Sequence, residues 1–142
     1  MALTIEQAME HGLASHREGN LQEAERLYRA ILKIQPGHPG ANHNLALIAV
    51  SANAAEAALP LFTTALEINP QVEQFWLSYI DVLIRLGMPD SAKAVIEQIK
   101  EIGFKQEKLE PLDKELASAT HQAQTSDVAA AEVYRTLGVA LK

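Results

Sequence analysis

Five histidines are the first residues in this sequence that could do chemistry. His11 and His16 are five positions apart, and so are His38 and His43. A five-residue step puts two imidazoles on different faces of a helix, whereas a helical zinc pair of the H-E-x-x-H kind needs a step of four. The histidines therefore read as ordinary surface or loop residues, and neither a metal nor any other cofactor is expected. Paired carboxylates for acid–base work would need a cleft with an apolar wall. Glu6, Glu10 and Glu18 instead fit a solvated helix face, so no catalytic residue is assigned and the chain reads as a non-enzyme. Lys105, Lys108 and Lys114 could begin a basic patch, but Glu107, Glu110 and Asp113 interleave with them and cancel it. Cysteine is absent, which rules out disulfides and thiolate chemistry.

The bulk properties agree with this negative reading. The 142 residues suit one compact domain or one short solenoid, and 48% apolar residues are enough to build a core. The net charge of −6, from 12 Lys and Arg against 18 Asp and Glu, argues against a nucleic-acid partner, which needs a clustered basic face. No window is apolar for the length of a membrane span, and the N-terminus lacks the pattern of a signal peptide. A cytoplasmic protein with no membrane partner is expected.

What organises the chain is repetition. The stretch from Ala24 to Pro36 returns from Ala58 to Pro70, 34 positions later, with a small Ala, an aromatic four residues on, Leu and Ile near the end, then Pro. A weaker third copy runs from Ala92 through Ile96 to Ile102. A fixed period of this length signals stacked helical repeats and hence an all-α fold. Thr4 and Gln7 predict a capping box that opens a helix ending near Glu18, and Gly19-Asn20 predicts a turn. Leu21 to Ile34 forms the second helix; Pro36-Gly37 stops it, and Pro39 is placed to start the next. In the second pair Asn53 stands where a glycine turn is expected, because Asn tolerates left-handed backbone. Its second helix is expected to start near Glu56, with Pro60 close to its first turn. The third pair spans Gln74 to Leu86 and Pro89 to Ile102, with Trp76, Tyr79, Ile80 and Leu83 on its internal face. Gly103 predicts a C-terminal stop. Leu109, Leu112 and Leu116 then mark a capping helix, with Pro111 expected at its start. A last helix is expected from Val128, with Tyr134, Leu137 and Leu141 on one face.

On these residues the chain resembles the tetratricopeptide repeat (TPR) family, through Gly12, Gly19, Ala24, Tyr28 and Pro36 in the first repeat. Leu45, Ala46, Ala58, Phe62, Ala65 and Pro70 carry the likeness in the second, and Trp76, Gly87, Ala92 and Ile96 in the third. Departures are His11, Ser15, Ala49, Asn53 and Phe104, which suggest a loosely packed first helix. The resemblance implies a right-handed α-solenoid of antiparallel helix pairs. About three full repeats would occupy residues 4–36, 39–70 and 73–104. A capping helix and linker would follow at 105–125, and the first helix of a truncated fourth repeat at 126–142.

The resemblance also implies binding rather than catalysis, in a concave groove lined by the first helix of each pair. By register the groove would show Met9, Leu13, His16 and Arg17, then His43, Asn44, Leu47 and Ser51, then Leu77, Ser78, Asp81 and Arg85. Asn44 holds the place where asparagines in the array of O-linked N-acetylglucosamine transferase grip a peptide backbone; an amide can both donate to a carbonyl and accept from an N–H. Met9, Leu13, Gln74 and Ser78 stand where a carboxylate clamp needs Lys, Arg or Asn, which argues against acidic chaperone tails. The expected function is a non-catalytic protein–protein interaction module that binds a peptide or helix of a partner. The alternative is the substrate-presenting N-terminal region of a larger bacterial glycosyl-, sulfo- or methyltransferase. The uncovered apolar face of Val128–Lys142 further suggests a homodimer held by that segment.

Overall fold

The computed structural model describes residues 3–103 and 106–120. Phe104, Lys105 and the segment 121–142, on which the expected linker, half repeat and dimer contact fall, lie outside the described residues. The described residues form seven α-helices and no strand. They group into two compact units, Met1–Asn69 and Pro70–Lys142.

The first unit holds two helix pairs. Helix α1 (Ile5–Arg17) opens on the capping box: Thr4 Oγ1 accepts from the Gln7 amide at 3.1 Å, and Gln7 Oε1 accepts from the Thr4 amide at 3.0 Å. Helix α2 (Leu21–Ile34) is capped by Asn20, whose side-chain oxygen accepts from the Glu23 amide. Helix α3 (Pro39–Ser51) starts on Pro39, where a missing amide hydrogen costs nothing, and His38 Nδ1 accepts from the Ala41 amide at 3.0 Å. Helix α4 (Ala55–Ile68) completes the unit. Its core joins Ala8 of α1 to Ala24, Leu27, Tyr28 and Ile31 of α2 and to Ala41, Leu45 and Ile48 of α3.

Two backbone features explain how the pairs close. Gly19, Asn53 and Gly87 all have positive φ (82°, 61° and 71°) and sit 34 residues apart, at the same turn of each pair. Asn53 thus does in the second pair what glycine does in the other two. Gly12 lets α1 and α2 approach: a Cβ there would lie 2.6 Å from Tyr28 Cε1. The loose packing expected of the first helix is therefore absent at this crossing, because the Tyr28 ring fills the space that Gly12 leaves.

The second unit contains α5 (Glu73–Arg85), α6 (Pro89–Ile102) and α7 (Gln106–Thr120). Trp76, Tyr79, Ile80 and Leu83 of α5 are fully buried, as are Ala92, Val95 and Ile99 of α6. Gly103 ends α6 in the left-handed region. Helix α7 packs on both α5 and α6 and buries Leu109 and Leu116, with Leu112 half-buried. It begins at Gln106, so Pro111 lies inside it rather than at its start. The reason is Leu109: the turn before the proline must be helical to bury that side chain, and its burial offsets the one backbone hydrogen bond that Pro111 cannot make. Likewise α4 starts at Ala55, which puts Pro60 beyond its first turn.

Candidate functional site

The first helix of each pair carries the residues assigned by register to the binding face. In the first unit these come from α1 and α3. Met9 of α1 reaches the N-terminal turn of α3, where its Cε would lie 3.2 Å from a Cβ built on Gly40. The absence of a side chain at Gly40 makes room for the thioether. One turn or two further on, His16 of α1 lies near enough to His43 of α3 to disfavour a second positive charge there. The α1 and α3 contributions are thus brought together, over the core aromatics Tyr28 and Phe62.

The individual residues differ in access. Leu13, Arg17 and Ser51 are exposed, and His16, Asn44 and Leu47 are half-buried. His43 is a correction to the open groove position expected of it. It is only 6% exposed, and its ring meets Phe62 edge-on with centroids 5.7 Å apart. Burial holds its imidazole below the ordinary histidine range; a hydrogen bond with Asn44 acts the other way, and the proximity of His16 adds to the lowering. The ring is neutral at neutral pH and belongs to the floor of the face. Asn44 rises beside it from the next position. The Ser51 hydroxyl donates to the Leu47 carbonyl at 3.1 Å.

Tyr28 belongs to this site, although sequence reasoning placed it only in the core. Its hydroxyl lies 3.4 Å from His16 Nδ1, and the two rings meet edge-on at 6.2 Å. Burial pushes the phenol pKa up, and the nearby Arg17 guanidinium lowers it in part. The signal was present in the residue type: the second repeat has Phe62 at the matching position, and the change to tyrosine adds a polar tip that a purely internal residue would not need.

In the second unit α5 carries Leu77, Ser78, Asp81 and Arg85. Ser78 is buried at 9% and its hydroxyl accepts from Gln74 Nε2 at 3.1 Å, so it too is a correction to an open groove position. The reason is packing, since α5 is buried on most of its circumference. Asp81 is half-buried and Arg85 exposed, and Arg85 Nε donates to Asp81 Oδ2 at 2.8 Å within the helix. Among the described residues, no group of three or more His, Cys, Asp or Glu side chains is placed to hold a metal ion. No helix of the described residues is long and apolar enough to cross a membrane.

Residues 49–110 match the family model of the tetratricopeptide repeat. The matched stretch contains the whole of α4, α5 and α6. The helix pair α1–α2, upstream of it, repeats the same positive-φ turn 34 residues earlier. No curated protein matches the sequence.

Proposed function

We propose that this protein is a non-catalytic interaction module that holds an extended segment or a helix of a partner protein on the face made by α1 and α3. Tetratricopeptide repeats are in general protein–protein interaction modules. The observation that carries the reading is that α1 and α3 meet, Met9 at Gly40 and His16 near His43, over the buried rings of Tyr28, His43 and Phe62, while the same two helices carry the accessible Leu13, Arg17, Asn44 and Leu47. The side chains above the floor are apolar, amide and cationic in turn and at least partly accessible. Such a mixture suits a peptide, which offers both backbone polar groups and apolar side chains.

Capture of partners with the wild-type protein, compared with Asn44→Ala and Leu13→Ser/Leu47→Ser variants, tests this. Partner binding should fall in both variants by more than stability does: Leu13 is exposed and its change costs about 0.5 kcal/mol or less, whereas Asn44→Ala also removes a hydrogen bond to the buried His43, worth about 1 kcal/mol. Binding that survives both variants, or is lost only in step with stability, refutes the assignment. Binding should also weaken only modestly with added salt, since the face is mixed rather than of a single charge.

A further inference from the structure

The chain carries a net charge of −6, yet the helix stretches that meet at the peptide face hold no carboxylate. None lies in residues 11–17 of α1 or anywhere in α3. Glu10 and Glu18 border the first stretch, and both are exposed. The charge that the face itself offers is positive, from Arg17 and from whichever of its histidines are protonated.

Arg17 is exposed at the end of α1 and makes no ion pair with another described residue. Arg26, Arg29 and Arg85 are instead held within their own helices by Glu23, Glu25 and Asp81. Burial raises the Tyr28 phenol pKa and the Arg17 guanidinium, close by, draws it back in part. The same hydroxyl lies 3.4 Å from His16 Nδ1. A neutral imidazole that accepts a tyrosine proton at Nδ1 carries its own hydrogen on Nε2, where it can donate to something else. Tyr28 is fully buried, so its hydroxyl fixes the half-buried His16 ring rather than meeting a ligand. The fold does not require this arrangement. At the same three positions the second pair has Val50, Ser51 and Phe62, and the third has Ile84, Arg85 and Ile96.

We propose that His16 and Arg17, with Tyr28 as the residue that positions His16, take an aspartate or glutamate side chain of the bound segment. The inference rests on the peptide-binding reading of the α1 and α3 face and adds the charge which that face selects. A guanidinium and an imidazole N–H are both donors, and a carboxylate is their acceptor-only complement. One permanent cation matches one negative charge, whereas a phosphate group brings nearly two charges and three acceptor oxygens. The site is not a carboxylate clamp, whose positions hold Met9, Leu13, Gln74 and Ser78 in this chain.

The probes are pools of short random peptides, blocked at both ends, with glutamate, glutamine or phosphoserine fixed at the centre. A further glutamine pool is left with a free C-terminal carboxylate. The immobilised full chain selects from each pool, and recovery is read by mass spectrometry. Glutamate should be recovered about fivefold more than blocked glutamine, the ratio expected of an accessible ion pair. Arg17→Gln and His16→Ala, both checked by circular dichroism, should each bring that ratio toward one. Arg26→Gln removes an equal charge from an exposed position of α2 and should leave it unchanged. Equal recovery of glutamate and glutamine, lost in Leu13→Ser/Leu47→Ser, overturns the proposal and leaves the peptide face standing. A glutamate preference that survives both Arg17→Gln and His16→Ala overturns it as well. Stronger recovery of phosphoserine, or of the free C-terminus, would make a phosphate or a chain end the ligand and equally overturn it. Recovery of no pool overturns the subsite and the peptide face together.

Discussion

The side-chain amide of Asn42 donates to the carbonyl of Pro36 at 3.0 Å, tying the first helix of the second pair to the end of the first pair. In the other unit the indole of Trp76, 34 residues later, donates to the carbonyl of Pro70 at 2.8 Å. Two chemically unlike side chains thus perform one task at one repeat position. Asn42 also donates to the His38 carbonyl at 2.9 Å, so its amide fixes the start of α3 as well. Asn42→Leu should destabilise the protein by about 1–3 kcal/mol, since it removes two hydrogen bonds made by a buried side chain, each worth roughly 0.5–1.5 kcal/mol. Trp76→Ala should cost about 3–5 kcal/mol, because it also opens a large cavity. Urea denaturation measures both. A change below about 1 kcal/mol for Trp76→Ala would show that the indole is not a core anchor.

Gly12→Ala tests the crossing of α1 and α2. The added methyl would stand 2.6 Å from Tyr28 Cε1 and 3.1 Å from Cδ1, against a ring that is itself fully buried. Alanine gains up to about 1 kcal/mol in helix propensity over glycine. Overpacking of a rigid ring outweighs this, and a net loss of about 1–3 kcal/mol is expected. Adding Tyr28→Leu to Gly12→Ala should recover part of the loss relative to the sum of the single changes. Additive effects in that double-mutant cycle would show that the two side chains do not compete for the same space.

Acid should weaken the first unit through His43. Its folded pKa lies below that of the unfolded chain, first because of burial, with the Asn44 hydrogen bond opposing and His16 reinforcing the shift. A group of this kind takes up protons more readily when unfolded. Its contribution to stability is therefore intact above the ordinary histidine pKa of about 6.5, declines as the pH falls below that value, and levels off once the folded pKa is passed. Urea midpoints compared at about pH 7.5 and about pH 5.5 should fall less on acidification in His43→Phe than in the wild type. Identical acid dependence in the two proteins would assign the pH sensitivity elsewhere.

Pro60 sits inside α4 and cannot return an amide hydrogen to the turn before it. The hydroxyls of Thr63 and Thr64 both donate to its carbonyl, at 3.0 and 2.8 Å, but they restore nothing on the N-terminal side. Pro60→Ala should raise stability by about 1 kcal/mol or more, since the proline side chain is exposed and little packing is lost. Thermal melts of the two proteins measure it. A lower melting temperature in the variant would mean that the fixed φ of Pro60 is holding the entry of α4.

The 34-residue recurrence of Ala24, Ala58 and Ala92, with the turn residues Gly19, Asn53 and Gly87 between helices, determined the all-α fold and the helix pairs, because both signals are local. Helical periodicity and left-handed turns need only a few neighbouring residues to be legible. The capping box at Thr4 and Gln7 was readable for the same reason. The proline positions were not. Whether Pro60 and Pro111 begin their helices or interrupt them depends on what the preceding turn can bury, and Leu109 settles that for α7 only through contacts with another helix. The binding face divides in the same way. Register alone put Leu13, His16, Arg17, Asn44 and Leu47 on the first helices. Only the tertiary structure sank His43 against Phe62 and brought the Tyr28 hydroxyl up to His16. Those outcomes depend on distances between side chains far apart in sequence, which a repeat pattern does not encode.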